Sequence, residues 1–345
     1  MKKEHSTMKT GVMIRKTDSG YINIGDYIQS IAARQFFTNN SPIYLDRERL
    51  NSYTGEKVKL IMNGWFLFKP ENWPPSECID PLFVSFHINE IAKEKLLSDE
   101  SIEYFKQHEP IGCRDMNTKN MLIDRGVSAY FSGCLTLSLG ESYSSSIKNN
   151  KIYFVDPFLP NEKKIIPILK AIFFLFKRFN LIKILCDKLF KSITFKKLIR
   201  ASMFYFVYSQ RFEDEVLLNS EYIVHIIKEP GSENEKFEYA EQLIKLYSNA
   251  FLVVTSRIHC ALPCLAMNTP VIYIDNVNQS KVSSCRLDGI LDLFNVISYK
   301  DSKLLPQFSI GTDKLNIKSV VTNKNNYRSI KQNLLDVCYK FASKS

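Results

Sequence analysis

The chain has 345 residues, of which 45% are hydrophobic and 24% charged, a balance that excludes a disordered, collagenous or disulfide-stapled protein. At about 150 residues per domain the length predicts two domains, and a chain of this size buries about three quarters of its extended surface without a metal or a disulfide. The formal charge of +10 is concentrated: Lys163 to Arg211 holds twelve Lys or Arg and one acid, Asp187, which leaves the rest of the chain near −1. The eight cysteines are scattered and lack paired zinc-finger spacing, so reduced thiols are expected. The first sixteen residues carry charge with no apolar stretch behind them, and no run of 18 apolar residues occurs, so neither a secretory signal nor a membrane-spanning helix is expected.

In chain order, a short strand at 11–14 is followed by a glycine-bearing loop and a helix on which Ile24, Ile28, Ile31, Gln35 and Phe36 share one face. KVKLIMNGWF and PLFVSFHI read as strands covered on both faces. IGCRDMNTKNMLIDRGV reads as a short strand turning into a helix that stops at Gly126, before a strand over SAYFSGCLTLSL. The polar stretch GESYSSSIKNN places a domain boundary near residue 147. Beyond it, KIYFVDP is a strand, and residues 161–215 read as a pair of basic amphipathic helices. EYIVHIIKEPGSENE follows as a strand and turn, KFEYAEQLIKLYSNA as a helix, FLVVT as a buried strand, RIHCALPCLAMN as a helix and PVIYI as a strand. The residues after 326 form an amphipathic helix expected to pack across both halves. Alternating strands and helices predict an α/β fold of two doubly wound domains, residues 1–147 and 148–325, facing across a cleft.

In such sheets ligands collect beyond the carboxyl ends of the strands. The strongest candidate is FLVVTSRIHCALPCLAM. Ser256 as N-cap makes Arg257, Ile258 and His259 the first helical turn, where unpaired amides, the helix dipole and a guanidinium favour a phosphate or carboxylate. Pro263 predicts a short or kinked helix. Arg114 repeats the layout, with Asp115 as a cap. In the first loop, Asn23, Gly25 and Asp26 are candidates for ligand contact, although the spacing from Asp26 to Gln29 also fits a capping box. His87 ends a strand and is a candidate ligand contact, although a lone histidine there is more often a satisfied core residue, and Arg286 follows the strand PVIYI and is placed to reach the same cleft. Trp65 is a candidate to stack on a sugar face or to pack in the core. No GxGxxG, Walker loop, GxSxG or metal-ligand spacing is present.

NIGDYIQSIAA, GCRDMNTKNMLIDRGV and above all LVVTSRIHCALPCLAMNTPVIYI resemble the polysaccharide pyruvyl transferase family, with CRLDGI similar to an arginine-bearing segment that follows in many members. The resemblance spans roughly residues 20–295 and does not include the basic block. It implies two Rossmann-like domains similar to the GT-B glycosyltransferase architecture, and transfer of pyruvate from phosphoenolpyruvate to a sugar of a surface polysaccharide precursor as a cyclic ketal. Phosphoenolpyruvate is then the donor and no separate cofactor or metal is implied. By position, Arg257 and His259 match the family's Arg-x-His, whose arginine binds the donor and whose histidine is the proposed acid/base; Arg114 matches an arginine that holds the donor's anionic groups. Cys260 stands where small residues such as alanine are frequent.

Two other functions fit the residues: a GT-B-like glycosyltransferase using a nucleotide sugar, and a non-catalytic membrane-associated binding protein. The expected setting is cytoplasmic, with a sugar acceptor that is either free or lipid-linked. The basic segment 163–211 either contacts the inner face of an anionic membrane or packs its apolar faces in the protein; the missing RNA, zipper and finger signatures argue against nucleic acid.

Overall fold

The computed structural model describes residues 8–37, 41–160, 165–278, 285–311 and 313–344. The strands are β1 (Lys9–Ile14), β2 (Tyr21–Asn23), β3 (Ile43–Asp46), β4 (Val58–Phe66), β5 (Ile79–Ile88), β6 (Ile111–Cys113), β7 (Ala129–Phe131), β8 (Ile152–Val155), β9 (Glu221–Ile223), β10 (Ile226–Lys228), β11 (Leu252–Thr255), β12 (Val271–Asn276), β13 (Asn295–Lys300) and β14 (Lys303–Pro306). The helices are α1 (Ile24–Arg34), α2 (Lys93–Leu96), α3 (Asp99–Lys106), α4 (Met116–Ile123), α5 (Gly140–Tyr143), α6 (Ile165–Lys177), α7 (Phe179–Phe190), α8 (Phe195–Tyr208), α9 (Asp214–Asn219), α10 (Glu233–Asn249), α11 (Ile258–Ala266) and α12 (Arg328–Ser343).

Near-continuous apolar runs such as those of β4, β8 and β11 have no polar face to offer water, so helices must cover them on both sides. The result is a mixed α/β fold with two six-stranded sheets. The first has the order β3-β1-β4-β5-β6-β7 and is parallel throughout; the second runs β14-β13-β12-β11-β8-β9, parallel except for the edge strand β14. The chain reverses its direction of travel across the sheet at β1/β4 in the first and at β8/β11 in the second. Such switch points open a crevice at the carboxyl ends of the strands.

A two-stranded antiparallel ladder joins the two halves: β2 pairs with β10, setting Asn23 opposite Ile226 and Tyr21 opposite Lys228. The ladder is extended by the Ile24 amide on the His225 carbonyl at 2.9 Å and by the Glu229 amide on that of Gly20 at 2.9 Å. Behind it, α1 and α10 pack directly, with Tyr27, Ile28 and Ile31 in one core cluster with Phe237, Ile244 and Tyr247. That cluster also takes in α11 and the C-terminal α12, so a single apolar body lies between the sheets. A second cluster covers the outer face of the second sheet with α7 and α8, and a third, rich in aromatic rings, covers the outer face of the first. Helix α12 buries Leu334, Leu335, Cys338 and Phe341, stacks Tyr339 edge-on against Phe36 at 5.0 Å, and has the Phe341 carbonyl accept from Lys59 Nζ at 3.1 Å.

Two expectations change. The strand expected over 128–139 ends at Phe131, because Gly133 adopts φ +64 and turns the chain; Leu135–Leu139 then forms a 3-10 turn whose leucines all enter the inter-sheet core. The basic segment is three helices and not a pair, broken by the non-helical Arg178 and by Lys191 in the left-handed region. Lys163 and Lys164 lie outside the described residues. All eight cysteines are free thiols. Among the described residues no helix is long and apolar enough to cross a membrane.

Gly140, at the start of α5, is where this region meets the end of α11: a Cβ there would lie 2.0 Å from the Ala266 carbonyl oxygen. The obstacle is backbone and cannot rotate away, so Gly140→Ala is expected to cost about 3 kcal/mol of unfolding free energy, measured as a lowered urea midpoint at unchanged slope.

Candidate active site

Residues just past the strand ends of both sheets line one cavity of about 240 Å³. From the first sheet come Arg15 after β1, Arg47 after β3, Trp65 near the end of β4, Phe68, and Arg114 after β6. From the second come His225 after β9, Ser256 and Arg257 after β11, Ile258 and His259 in the first turn of α11, and Arg286 in the 3-10 turn Cys285–Leu287. Asn23, Asp26 and Gln29 at the head of α1 complete the wall.

The five arginines differ in how they are neutralised. Arg257 Nε donates to Asp156 Oδ2 at 2.7 Å, and the same oxygen takes the His225 amide at 3.2 Å. Arg15 and Arg47 share Asp26, at 3.6 and 4.0 Å, and Arg47 also faces Glu48 at 3.6 Å. Among the described residues, Arg114 and Arg286 have no carboxylate within ion-pair distance, and Nε of each is buried without a hydrogen-bond partner. Arg114 is only 2% exposed, so its charge is withdrawn from water with no carboxylate in direct contact. Burial pushes its guanidinium below the usual range, with Asp115 the main opposing influence.

The backing of Arg114 is rigid. Asp115 caps α4 by accepting the Thr118 amide at 2.8 Å, and its other oxygen meets His87 Nδ1 at 2.6 Å. Burial alone would raise the Asp115 carboxyl, but the bond to His87, the Arg114 charge and the Thr118 amide together hold it below its usual value. An ionised carboxylate only accepts, so Nδ1 of His87 carries the proton; burial and Arg114 hold that ring below its usual pKa. His87 therefore props the Arg114–Asp115 turn and does not line the cavity, a correction to its expected place among the ligand contacts.

His259 has its Nε2 buried without a partner. Burial, then Arg114, His225, Arg286 and Arg257, hold its pKa well below the usual imidazole value, so the ring is neutral in the empty site. Gly25 does not line the cavity either. It lets α1 approach this ring: a Cβ at Gly25 would stand 3.2 Å from both Cβ and Nδ1 of His259. His225 is likewise neutral, its pKa lowered to about 4 by burial and by Arg257, against Asp156; its Nε2 meets the Tyr247 hydroxyl at 2.7 Å.

Helix α11 begins one residue later than expected. The cap is Arg257, whose amide donates to Thr255 Oγ1 at 3.0 Å, and Ser256 instead donates to the Asp156 carbonyl at 2.7 Å. The amides of Ile258 and His259 have no backbone acceptor and stand at the positive end of the helix dipole. With Pro263 inside it, α11 is nine residues long. The capping-box reading of Asp26 also gives way: Asn23 caps α1, accepting the Gly25 amide at 3.2 Å, which frees Asp26 to pair with two arginines.

Asn23, Asp26, Arg114, Ser256, Arg257, Ile258, His259 and Arg286 are thus brought to one cavity from both ends of the sequence. Arg15, Gln29, Arg47, Phe68, His225 and the supporting Asp156 were not expected. Arg15, Arg47 and Asp156 each follow a strand directly, a signal that charged residues in exposed loops share. A profile of the family described as Polysaccharide pyruvyl transferase matches residues 23–278, about three quarters of the chain. The chain belongs to the polysaccharide pyruvyl transferase family. The name of the family is that of a transferase acting on polysaccharide. No individual curated protein matches the chain at a significant level. In this pyruvyl transferase family member, no cluster of three or more His, Cys, Asp or Glu side chains among the described residues has metal-binding geometry.

A buried charge without an ion-pair contact opposes folding. Arg114→Met is expected to stabilise the ligand-free protein by about 1–2 kcal/mol, read from urea denaturation, while removing anion binding. A destabilised variant with an unchanged core would show that Arg114 is compensated after all.

Proposed function

We propose that the cavity binds phosphoenolpyruvate and that the protein transfers its pyruvyl group to two hydroxyls of a sugar in a surface polysaccharide precursor, of capsule or exopolysaccharide, as a cyclic ketal with release of phosphate. The observation that carries this reading is the buried guanidinium of Arg114, its Nε without a partner and no carboxylate at ion-pair distance, beside a neutral His259 whose Nε2 is also unpartnered. A phosphate and a carboxylate together bring about three negative charges, and guanidinium groups bind each bidentately. The free amides of Ile258 and His259 add donors suited to an anion. At about 240 Å³ the cavity lies below the usual span of about 300–1,000 Å³ for small-molecule sites, which favours a compact donor over a nucleotide sugar.

The reaction needs its protons placed. The first sugar hydroxyl adds to the enol carbon through oxygen while the methylene carbon gains a proton and becomes methyl. Loss of phosphate, with the C–O bond electrons leaving on the phosphate oxygen, creates an oxocarbenium carbon. The second hydroxyl closes the ketal on that carbon, and its proton leaves with the phosphate. His259, gaining a proton as the donor binds, is suited to give it to the methylene carbon and, then neutral, to take the hydroxyl proton in its place. Arg114, Arg257 and Arg286 stabilise charge as it develops on the leaving group, and no cofactor beyond the donor is required. Trp65 and Phe68, with ring centroids 4.1 Å apart at the cavity wall, suit the acceptor side. We further read residues 1–147 and 148–325 as Rossmann-like domains of GT-B type, with 161–215 as a basic insertion, acting on the cytoplasmic side on a free or lipid-linked acceptor. The two switch points, both opening on the one cavity, support this.

Purified protein incubated with phosphoenolpyruvate and a panel of free, nucleotide-linked and lipid-linked sugars is expected to release phosphate only with an acceptor. His259→Ala is expected to lower turnover by about 10²- to 10⁴-fold and Arg257→Ala by about 10²- to 10³-fold, with unfolding midpoints retained. Stabilisation by a nucleoside diphosphate and not by phosphoenolpyruvate would overturn the assignment.

The donor's negative charge must raise the depressed pKa of His259, so binding takes up a proton between the free and bound values. Affinity is therefore expected to fall as pH rises through the bound-state pKa. Titration calorimetry in buffers of different ionisation enthalpy measures the uptake, and His259→Gln should abolish it.

A further inference from the structure

Helix α6 is apolar around its whole circumference apart from Lys170 and Lys177. Its inner side is accounted for: Ala171 and Leu175 are buried, and the Ala171 carbonyl accepts the Ser202 hydroxyl of α8. Its outer side is not, because Leu169, Phe173 and Phe176, spaced four and three residues apart, form a stripe facing water, and Phe179 continues it at the start of α7. Phe176 is 78% exposed, in a chain whose other phenylalanines largely fill cores. A helix with no polar face is ordinarily enclosed by protein or lipid.

The residues around the stripe are basic. Lys170, Lys177, Arg178 and Lys183 flank it, and Asp187 is the only acid from 165 to 211; Arg178 reaches Asp214 at 3.9 Å across an exposed pair. Two copies meeting on this face would bring like charges together. At 13 residues α6 is too short to span a bilayer, which requires about 20, but long enough to lie within its surface.

We propose that the outer face of α6 and the start of α7 form a docking surface for an anionic lipid bilayer, with Leu169, Phe173, Phe176 and Phe179 entering the acyl boundary and the four cations meeting lipid phosphates. Each group then has the environment it suits: aromatic rings in the interface, ammonium and guanidinium groups at the head groups. The surface lies on the sheet face opposite the inter-sheet core and shares no residue with the arginine-lined cavity, so the inference is independent of the donor's identity.

The full chain is tested by co-sedimentation with vesicles of phosphatidylcholine mixed with phosphatidylglycerol, and with neutral phosphatidylcholine vesicles. Strong binding to the anionic vesicles, weakened at high salt and at least tenfold weaker to neutral ones, is expected. The exposed-residue variant Phe173→Ser with Phe176→Ser should lose binding at least tenfold, as should charge reversal at Lys177, Arg178 and Lys183 to Glu, with the thermal shift by phosphoenolpyruvate unchanged in both. Absent vesicle binding, or binding that both variants retain, overturns the proposal. So does a concentration-dependent dimer abolished by the phenylalanine variant without vesicle binding, or preferential capture of a single-stranded oligonucleotide by the same face. Vesicle binding without any phosphoenolpyruvate-dependent chemistry would leave the docking surface standing and remove the assigned reaction alone.

Discussion

The guanidinium of Arg114 sits out of reach of water with no carboxylate at ion-pair distance, and much of the surrounding architecture is arranged to keep it there. Such a charge carries an effective penalty of several kcal/mol, so the fold must be held by something else. That support is the apolar body between the sheets, in which α1, α10, α11 and α12 interlock. It is also the turn after β6, where Asp115 is fixed at once by the α4 amides and by His87. The charge is not stabilising the protein; the rest of the fold tolerates it, and in the proposed reading an anion in the cavity would offset its cost.

The same economy explains the protonation states. Burial first, reinforced by Arg114, Arg286 and Arg257 at His259 and by Arg257 at His225, keeps both rings neutral, although an isolated histidine is partly charged near neutrality. A neutral ring can accept a proton, which a cation in the same place cannot. In the proposed reaction the arriving anionic donor would relax the field of the arginines around His259, raise the pKa of the ring and make it a better proton acceptor.

How far the sequence could be read depended on the range of the interaction that decides each residue. Strands covered on both faces are legible as uninterrupted apolar runs, and β4, β5, β11 and β12 fall where those runs are. SAYFSGCLTLSL is just as apolar, yet a left-handed Gly133 and the demand of the inter-sheet core for leucines at 135–139 turned most of it into a 3-10 segment. Arg114, Arg257, His259 and Arg286 are legible because each follows a strand in a segment with family character. Arg15, Arg47 and His225 lack that local mark; their place is set by where distant strands end relative to one another. His87 and Gly25 carried a signal but not its meaning: one buttresses a turn, the other makes room for a ring. Ser256 and Asp26 show the limit of capping rules, since both could have closed a helix end and were taken by a carbonyl and by two arginines instead.

The ladder between β2 and β10 is only three residues long on each side, but it sets Asn23 of the first half beside the residue next to His225 of the second, and both Asn23 and His225 line the cavity. It acts together with the apolar body between the sheets, in which α1 packs on α10 and α11. The main-chain bonds that join the halves thus lie at the rim of the cavity, where their geometry does not depend on which side chains line it.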